Sequence, residues 1–143
     1  MEKSITERVR DYIYQNDRLF KFLGARITHM EEGSAQVEMI VTEEHLNAAQ
    51  VCQGGVIFTL ADLAFALASN SYGTLALAIK ASITYIKPAK KGDLLIAKAE
   101  EFSRSKSLAT YHITVFRGPT QEKIAFFEGM VYRFDKPVFP ENS

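Results

Sequence analysis

The chain has 143 residues, 47% of them hydrophobic and 24% charged, which fits one soluble domain with a core that needs no disulfide or metal staple. Lys plus Arg is 17 and Asp plus Glu is 17, so the net charge is zero and a strongly basic nucleic-acid binder is excluded. The single Cys52 excludes an internal disulfide and cysteine-rich zinc sites, and His29, His45 and His112 form no HExxH pattern, so no metal is expected.

Residues 4–23 read as an amphipathic helix. Ser4 caps it, Glu7 completes a capping box, Ile5, Val9, Tyr12, Ile13, Leu19, Phe20 and Phe22 supply apolar contacts, and Gly24 ends the pattern. The start carries Glu2, Lys3, Glu7, Arg8, Arg10 and Asp11 and contains no apolar run of signal-peptide length. Residues 25–32 and 34–42 read as strands around a turn at Gly33, the second alternating Ala35, Val37, Met39 and Val41 with polar positions. Residues 54–70 change character, because Val56, Ile57, Leu60, Leu63, Phe65 and Leu67 spread around the whole helical circumference. Such a helix is expected to be buried on nearly every side. Its apolar part, residues 56–68, is shorter than the ~20 residues a bilayer span needs, so a soluble cytoplasmic protein is expected. Four strand-like runs follow at 74–86, 94–102, 108–117 and 124–134, and the end, with Pro137 and Pro140, reads as a short frayed tail. Long strands without intervening helices indicate an antiparallel sheet, and one apolar helix beside it gives an α+β architecture with the sheet wrapped around a central helix.

Asp62 is the most informative residue. It is a lone carboxylate in an apolar helix, where burial costs several kcal/mol unless the group is paired or protonated. It either sits on an exposed stripe, bonds a loop amide, or performs chemistry. Gln53-Gly54-Gly55 stands where this helix begins. Two glycines suit a tight loop-to-helix junction, and they also let a ligand approach free amides at the positive end of the helix. Asp62 lies seven residues beyond Gly55, two turns along the same face. An oxyanion hole near a carboxylate base or nucleophile is a workable layout for acyl transfer to water.

Several segments resemble the PaaI-type hotdog-fold acyl-CoA thioesterases. They are His45-Leu46-Asn47, Gln53-Gly54-Gly55-Val56-Ile57-Phe58-Thr59-Leu60-Ala61-Asp62, Ala64-Phe65-Ala66, Asn70-Ser71-Tyr72-Gly73, Ile83 to Ala89, Gly92-Asp93 and Phe127-Glu128-Gly129. The resemblance spans about residues 20–134. It implies a hotdog domain over 1–143 with its core at about 24–134, a homodimer sharing its active sites and a homotetramer built from dimers. It also implies hydrolysis of acyl-CoA, aryl-acetyl or medium-chain, to free acid and CoA, with no cofactor beyond the CoA of the substrate. Asp62 then falls at the general base or nucleophile, Gly54 at the amide that polarises the thioester carbonyl, and Asn47 at a residue holding the thioester or the attacking water.

Gln53 departs from the family, which usually has His there. Gln donates and accepts hydrogen bonds but does not titrate near neutral pH. Gln50 stands where the family often has Gly, and Ala78 near where some relatives place Ser or Thr. Gly55 and Phe58 are expected at the substrate, with Lys90, Lys91 and Arg104 as partners for CoA phosphates. Cys52 reads as structural filler. A non-catalytic acyl-CoA binder or sensor is the alternative that Gln53 motivates. An enoyl-CoA hydratase ranks third, because no His follows Asp62 until His112.

Overall fold

The computed structural model describes residues 2–140. Its elements are α1 (Ile5–Asn16), α2 (Leu19–Leu23), β1 (Arg26–Glu31), β2 (Ser34–Ile40), a single 3₁₀ turn (Glu43–His45), α3 (Gly54–Asn70), β3 (Thr74–Tyr85), β4 (Leu94–Arg104), β5 (Leu108–Arg117) and β6 (Lys123–Pro137). The six strands form one antiparallel sheet in the order β1-β2-β4-β5-β6-β3. Its concave face wraps α3, which packs against every strand. The α+β hotdog architecture expected from the sequence is therefore present.

Side-chain size explains how closely helix and sheet approach. Small residues line the inner face, with Ala35, Ala97 and Ala99 fully buried between larger neighbours such as Val37, Leu95 and Ile113. On β6, a Cβ at Gly129 would stand 2.5 Å from the tip of the Phe65 ring, so the glycine leaves room for that aromatic anchor of α3.

Two expectations are corrected and a third is refined. The N-terminal helix is not continuous over residues 4–23. The capping box of Ser4 and Glu7 forms, but the chain turns extended at Asp17 (φ −88°, ψ 107°), whose Oδ1 accepts the Leu19 amide at 3.1 Å and restarts the helix as α2. The end of the chain is not frayed as far as it is described. The Val138 amide donates to the Gly73 carbonyl at 3.0 Å, and Phe139 is buried with its ring 6.0 Å from that of Tyr12. Residues 141–143 of the expected tail lie outside the described residues. The burial of α3 on nearly every side holds, with one stripe as the exception. Gly55, Phe58, Thr59, Asp62 and Ala66 stay partly open, and their spacing of three and four residues makes them one stripe.

Strand β3 is also unlike its neighbours. It occupies a sheet edge, and two of its large apolar side chains are open, with Leu77 54% and Ile79 57% exposed. An apolar open edge is what another chain pairs with.

Candidate active site

The open stripe of α3 carries chemistry at both of its ends. At the N-terminus, Gln53 is the cap residue with φ −62° and ψ 139° and makes no side-chain cap bond. The amides of Gly54 and Gly55 fall in the first turn, where a helix has no internal acceptor, and no described group accepts from them. They are donors facing outward at the positive end of a 17-residue helix. Tyr85, at the end of β3, donates its hydroxyl to the Gly54 carbonyl at 2.8 Å. A Cβ on Gly54 would stand 2.8 Å from that oxygen, so Tyr85 closes one side of the turn, and a side chain at Gly54 would have to displace the outer end of the half-exposed Tyr85 ring. Partial burial raises the proton affinity of the Tyr85 phenol, which keeps it a donor. A cleft of about 340 Å³ lies here, lined by Cys52, Gly54, Ile57, Tyr85, Lys87 and Pro88 among others.

The loop before α3 presents this turn. Asn47 Oδ1 accepts the amides of Ala49 at 2.9 Å and Val51 at 3.3 Å, so its oxygen holds the loop while its amide nitrogen remains available as a donor. Gln50 takes φ +66°, a left-handed conformation that favours glycine, and this accounts for the glycine common at that position in the resembling family. The Gln53 amide donates to the His45 carbonyl at 2.8 Å, and the buried His45 ring accepts the Thr42 amide at 2.9 Å through Nδ1. His45 thus organises the loop. Burial pushes the Cys52 thiol up to about 11, which leaves it protonated and a poor nucleophile.

Two turns further on, Asp62 faces a cavity of about 650 Å³ walled by α1, α3, β3 and β6. It accepts no hydrogen bond from the described residues. Burial, and then the nearby charge of Asp17, raise its proton affinity above the ordinary aspartate range. A half-buried carboxylate without a partner is costly for folding and effective as a base. Ala78 lines the same cavity and offers a methyl group where some of the resembling proteins carry a hydroxyl.

Asp62 and Gly54 share a helix face but not a cavity. Eight residues separate them, which is about 12 Å along the axis. Gly55 and Gln53 lie with Gly54, the Gln53 Oε1 being 3.4 Å from where a Gly55 Cβ would be. Phe58 sits between the two ends with its ring 5.1 Å from Phe127, turned to the core. Lys90 and Lys91 are exposed in the β3–β4 turn, Lys91 within 3.9 Å of Glu43. Arg104 stands at the opposite end of β4, with its guanidinium 4.0 Å above the Tyr72 ring and 3.4 Å from Glu101. Tyr85 and Asp17 are the neighbours of the site that sequence reasoning did not assign to it. Their contacts cross 31 residues in one case and a tertiary cavity in the other, and no local pattern announces either.

Comparison with known proteins gives the family of the chain. Residues 49–124 match the family model of the thioesterase superfamily. A putative esterase of Archaeoglobus fulgidus is 54% identical over 99% of this chain and 91% of its own length. Acyl-coenzyme A thioesterase PaaI of Escherichia coli is 40% identical over 90% of this chain and 91% of its own. The solved structure of the E. coli PaaI protein from the phenylacetic acid degradation operon superposes with a TM-score of 0.90 at 37% identity, covering 93% of this chain and 96% of that one. The chain belongs to the thioesterase superfamily, and its class of chemistry is thioester hydrolysis. Within that superfamily it is a PaaI-type hotdog protein.

Proposed function

We propose that this chain hydrolyses acyl-CoA to a free acid and CoA, with Asp62 as general base or nucleophile and the Gly54 amide as the oxyanion donor. The observation that carries the reading is the unpaired, half-buried Asp62 on the same open helix stripe as two unoccupied amides. The thioester carbonyl oxygen accepts from Gly54 N–H, and the amide strengthens its hold as negative charge develops. As base, Asp62 takes a proton from water while the water oxygen bonds to the carbonyl carbon. The C–S bond then breaks and the proton passes to the leaving thiolate. As nucleophile, Asp62 forms an acyl anhydride that water opens. Both routes release one acid and one CoA thiol per water and draw on no cofactor beyond the CoA of the substrate.

The separation of about 12 Å within one helix means a carbonyl held by Gly54 is out of reach of Asp62 in the same chain. A two-fold axis beside α3 near Phe58, midway between residues 54 and 62, would set Gly54 of one copy against Asp62 of the other. The open apolar edge of β3 supports such a homodimer, because pairing two such edges extends the sheet and covers Leu77 and Ile79. Exposed Phe102, Leu108, Phe126 and Tyr132 on the sheet offer a second contact for a homotetramer. The cavity beside Asp62 has ample room for an aryl-acetyl or medium-chain acyl group. Asn47 and Gln53 supply donors to the thioester or the water, Gly55 and Phe58 flank it, and exposed Lys90 and Lys91 meet CoA phosphates. Arg104 does so only if a second chain brings it to the pantetheine path. With no helix among the described residues long and apolar enough to cross a membrane, a cytoplasmic enzyme is the simplest setting.

Thiol release from short, medium, long and aryl acyl-CoAs tests this reading. Wild type turns over at least one class, and Asp62→Asn lowers that rate by about 100-fold or more. Tight binding without turnover across the panel would favour the acyl-CoA sensor that the non-titrating Gln53 suggests, and recovery of turnover in Gln53→His would locate the defect there.

A further inference from the structure

The cavity beside Asp62 contains a second carboxylate. Asp17 ends α1 on the wall of this same cavity and is half-buried there. It is held from two sides: its amide donates to the Ile13 carbonyl at 2.8 Å, and its Oδ1 accepts the Leu19 amide at 3.1 Å. The second oxygen is not used by this turn. We infer that Asp17 is a positioning residue whose fixed carboxylate, facing the Asp62 cavity, makes Asp62 a stronger base. The inference rests on Asp62 being the reacting carboxylate.

The surroundings favour the effect. From α1 and the α1–α2 junction, the titratable or charged groups on the cavity wall are Tyr12, Asp17 and the exposed Arg18. The walls from β3 and β6 are apolar, represented by Leu75, Leu77 and Val131, and α3 contributes no ionisable group besides Asp62 itself. A negative charge beside a weakly solvated carboxylate opposes its ionisation, and the low polarity of the walls lets that influence carry further than in water. The raised proton affinity of Asp62, caused by burial first and Asp17 second, agrees with this arrangement. The helix break at Asp17 thus has a function beyond turning the chain: it fixes a charge on the rim of the reaction cavity.

The test is the pH dependence of kcat/KM for acyl-CoA hydrolysis. Asp17→Asn keeps the oxygen that accepts the Leu19 amide and removes the charge. The acid limb is expected to move down by about 0.5 pH unit, raising the rate on that limb about 3-fold. Asp17→Ser, a second neutral residue suited to a turn, is expected to give the same displacement, and Asp17→Glu to keep the wild-type limb. An unmoved limb in whichever neutral variant folds overturns the inference, as does an equal displacement in Asp17→Glu, which would mark a purely structural effect. Asp62→Asn separates the two levels. If it stays active, the reading of Asp62 itself fails; if it is inactive while the neutral Asp17 variants keep the wild-type limb, only the role of Asp17 fails.

Discussion

Both halves of α3 carry polar groups, and the two sets behave oppositely. At the C-terminal end the polar groups are buried and paired. Asn70 donates to the carbonyls of Ala66 and Ala76 and accepts the Ala76 amide, at 2.8, 3.2 and 2.8 Å. Ser71 Oγ accepts the Gly33 amide at 2.8 Å and donates to the Ala68 carbonyl at 2.7 Å. At the N-terminal end, two amides and the carboxylate two turns on have no partner among the described residues. A folded protein rarely leaves such groups unpaired without another use for them. The Asn70-Ser71-Tyr72-Gly73 motif therefore ties the helix to the sheet, and the Gln53-Gly54-Gly55 to Asp62 stripe is left open, as the proposed hydrolysis requires.

This contrast predicts different losses at the two ends. Asp62→Asn is expected to cut turnover by about 100-fold or more. Gly54→Pro should match it, because it deletes the amide donor at the first helical position, where proline is tolerated, and the preceding Gln53 is already extended. Asp62→Asn should unfold as cooperatively as wild type in urea, and Gly54→Pro, which displaces the Tyr85 hydroxyl from the turn, should remain cooperative at a somewhat lower midpoint. Asn70→Ala should do the reverse: it strands the buried Ala76 amide and carbonyl, lowering stability by about 2–3 kcal/mol while turnover per folded molecule persists. Equal catalytic losses at both ends would erase the distinction.

Smaller effects sharpen it. Tyr85→Phe removes the hydroxyl on the Gly54 carbonyl and should lower kcat about 2- to 10-fold with little change in KM, read from steady-state kinetics. Asp62→Asn should also stabilise the fold by about 0.5–1 kcal/mol at neutral pH. The sign follows from Asp62 holding its proton more tightly folded than unfolded, so the wild type loses stability as pH rises from the ordinary aspartate range through the raised folded value. Denaturation of both proteins across pH should show the gain at neutral pH and its disappearance below that range.

Much of this was legible in the sequence for identifiable reasons. The alternation of Ala35, Val37 and Met39 and the all-round apolar run of α3 follow from which faces are buried, and burial is what periodicity records. Asp62 stood out because a carboxylate in such a helix needs an explanation, and the Gly-Gly turn because of its place before it. The break at Asp17 was hidden, since apolar residues continue on both sides and the determining bond is a side chain to Leu19. The exposed edge of β3 was hidden too: the run 74–86 reads only as a strand, and it is the strand order that leaves Leu77 and Ile79 outside. Arg104 looked like a free phosphate partner because its stacking on Tyr72 joins residues far apart in the chain.

The most direct measurement is subunit complementation. Asp62→Asn and Gly54→Pro are purified separately, shown inactive, then mixed after dissociation and reassociation in equal amounts. If each site joins Gly54 of one copy to Asp62 of another, half the dimers carry one intact site, and the mixture regains about a quarter of wild-type thiol release. A mixture that exchanges subunits and stays inactive would contradict the shared site and with it the pairing of Gly54 and Asp62 in one reaction.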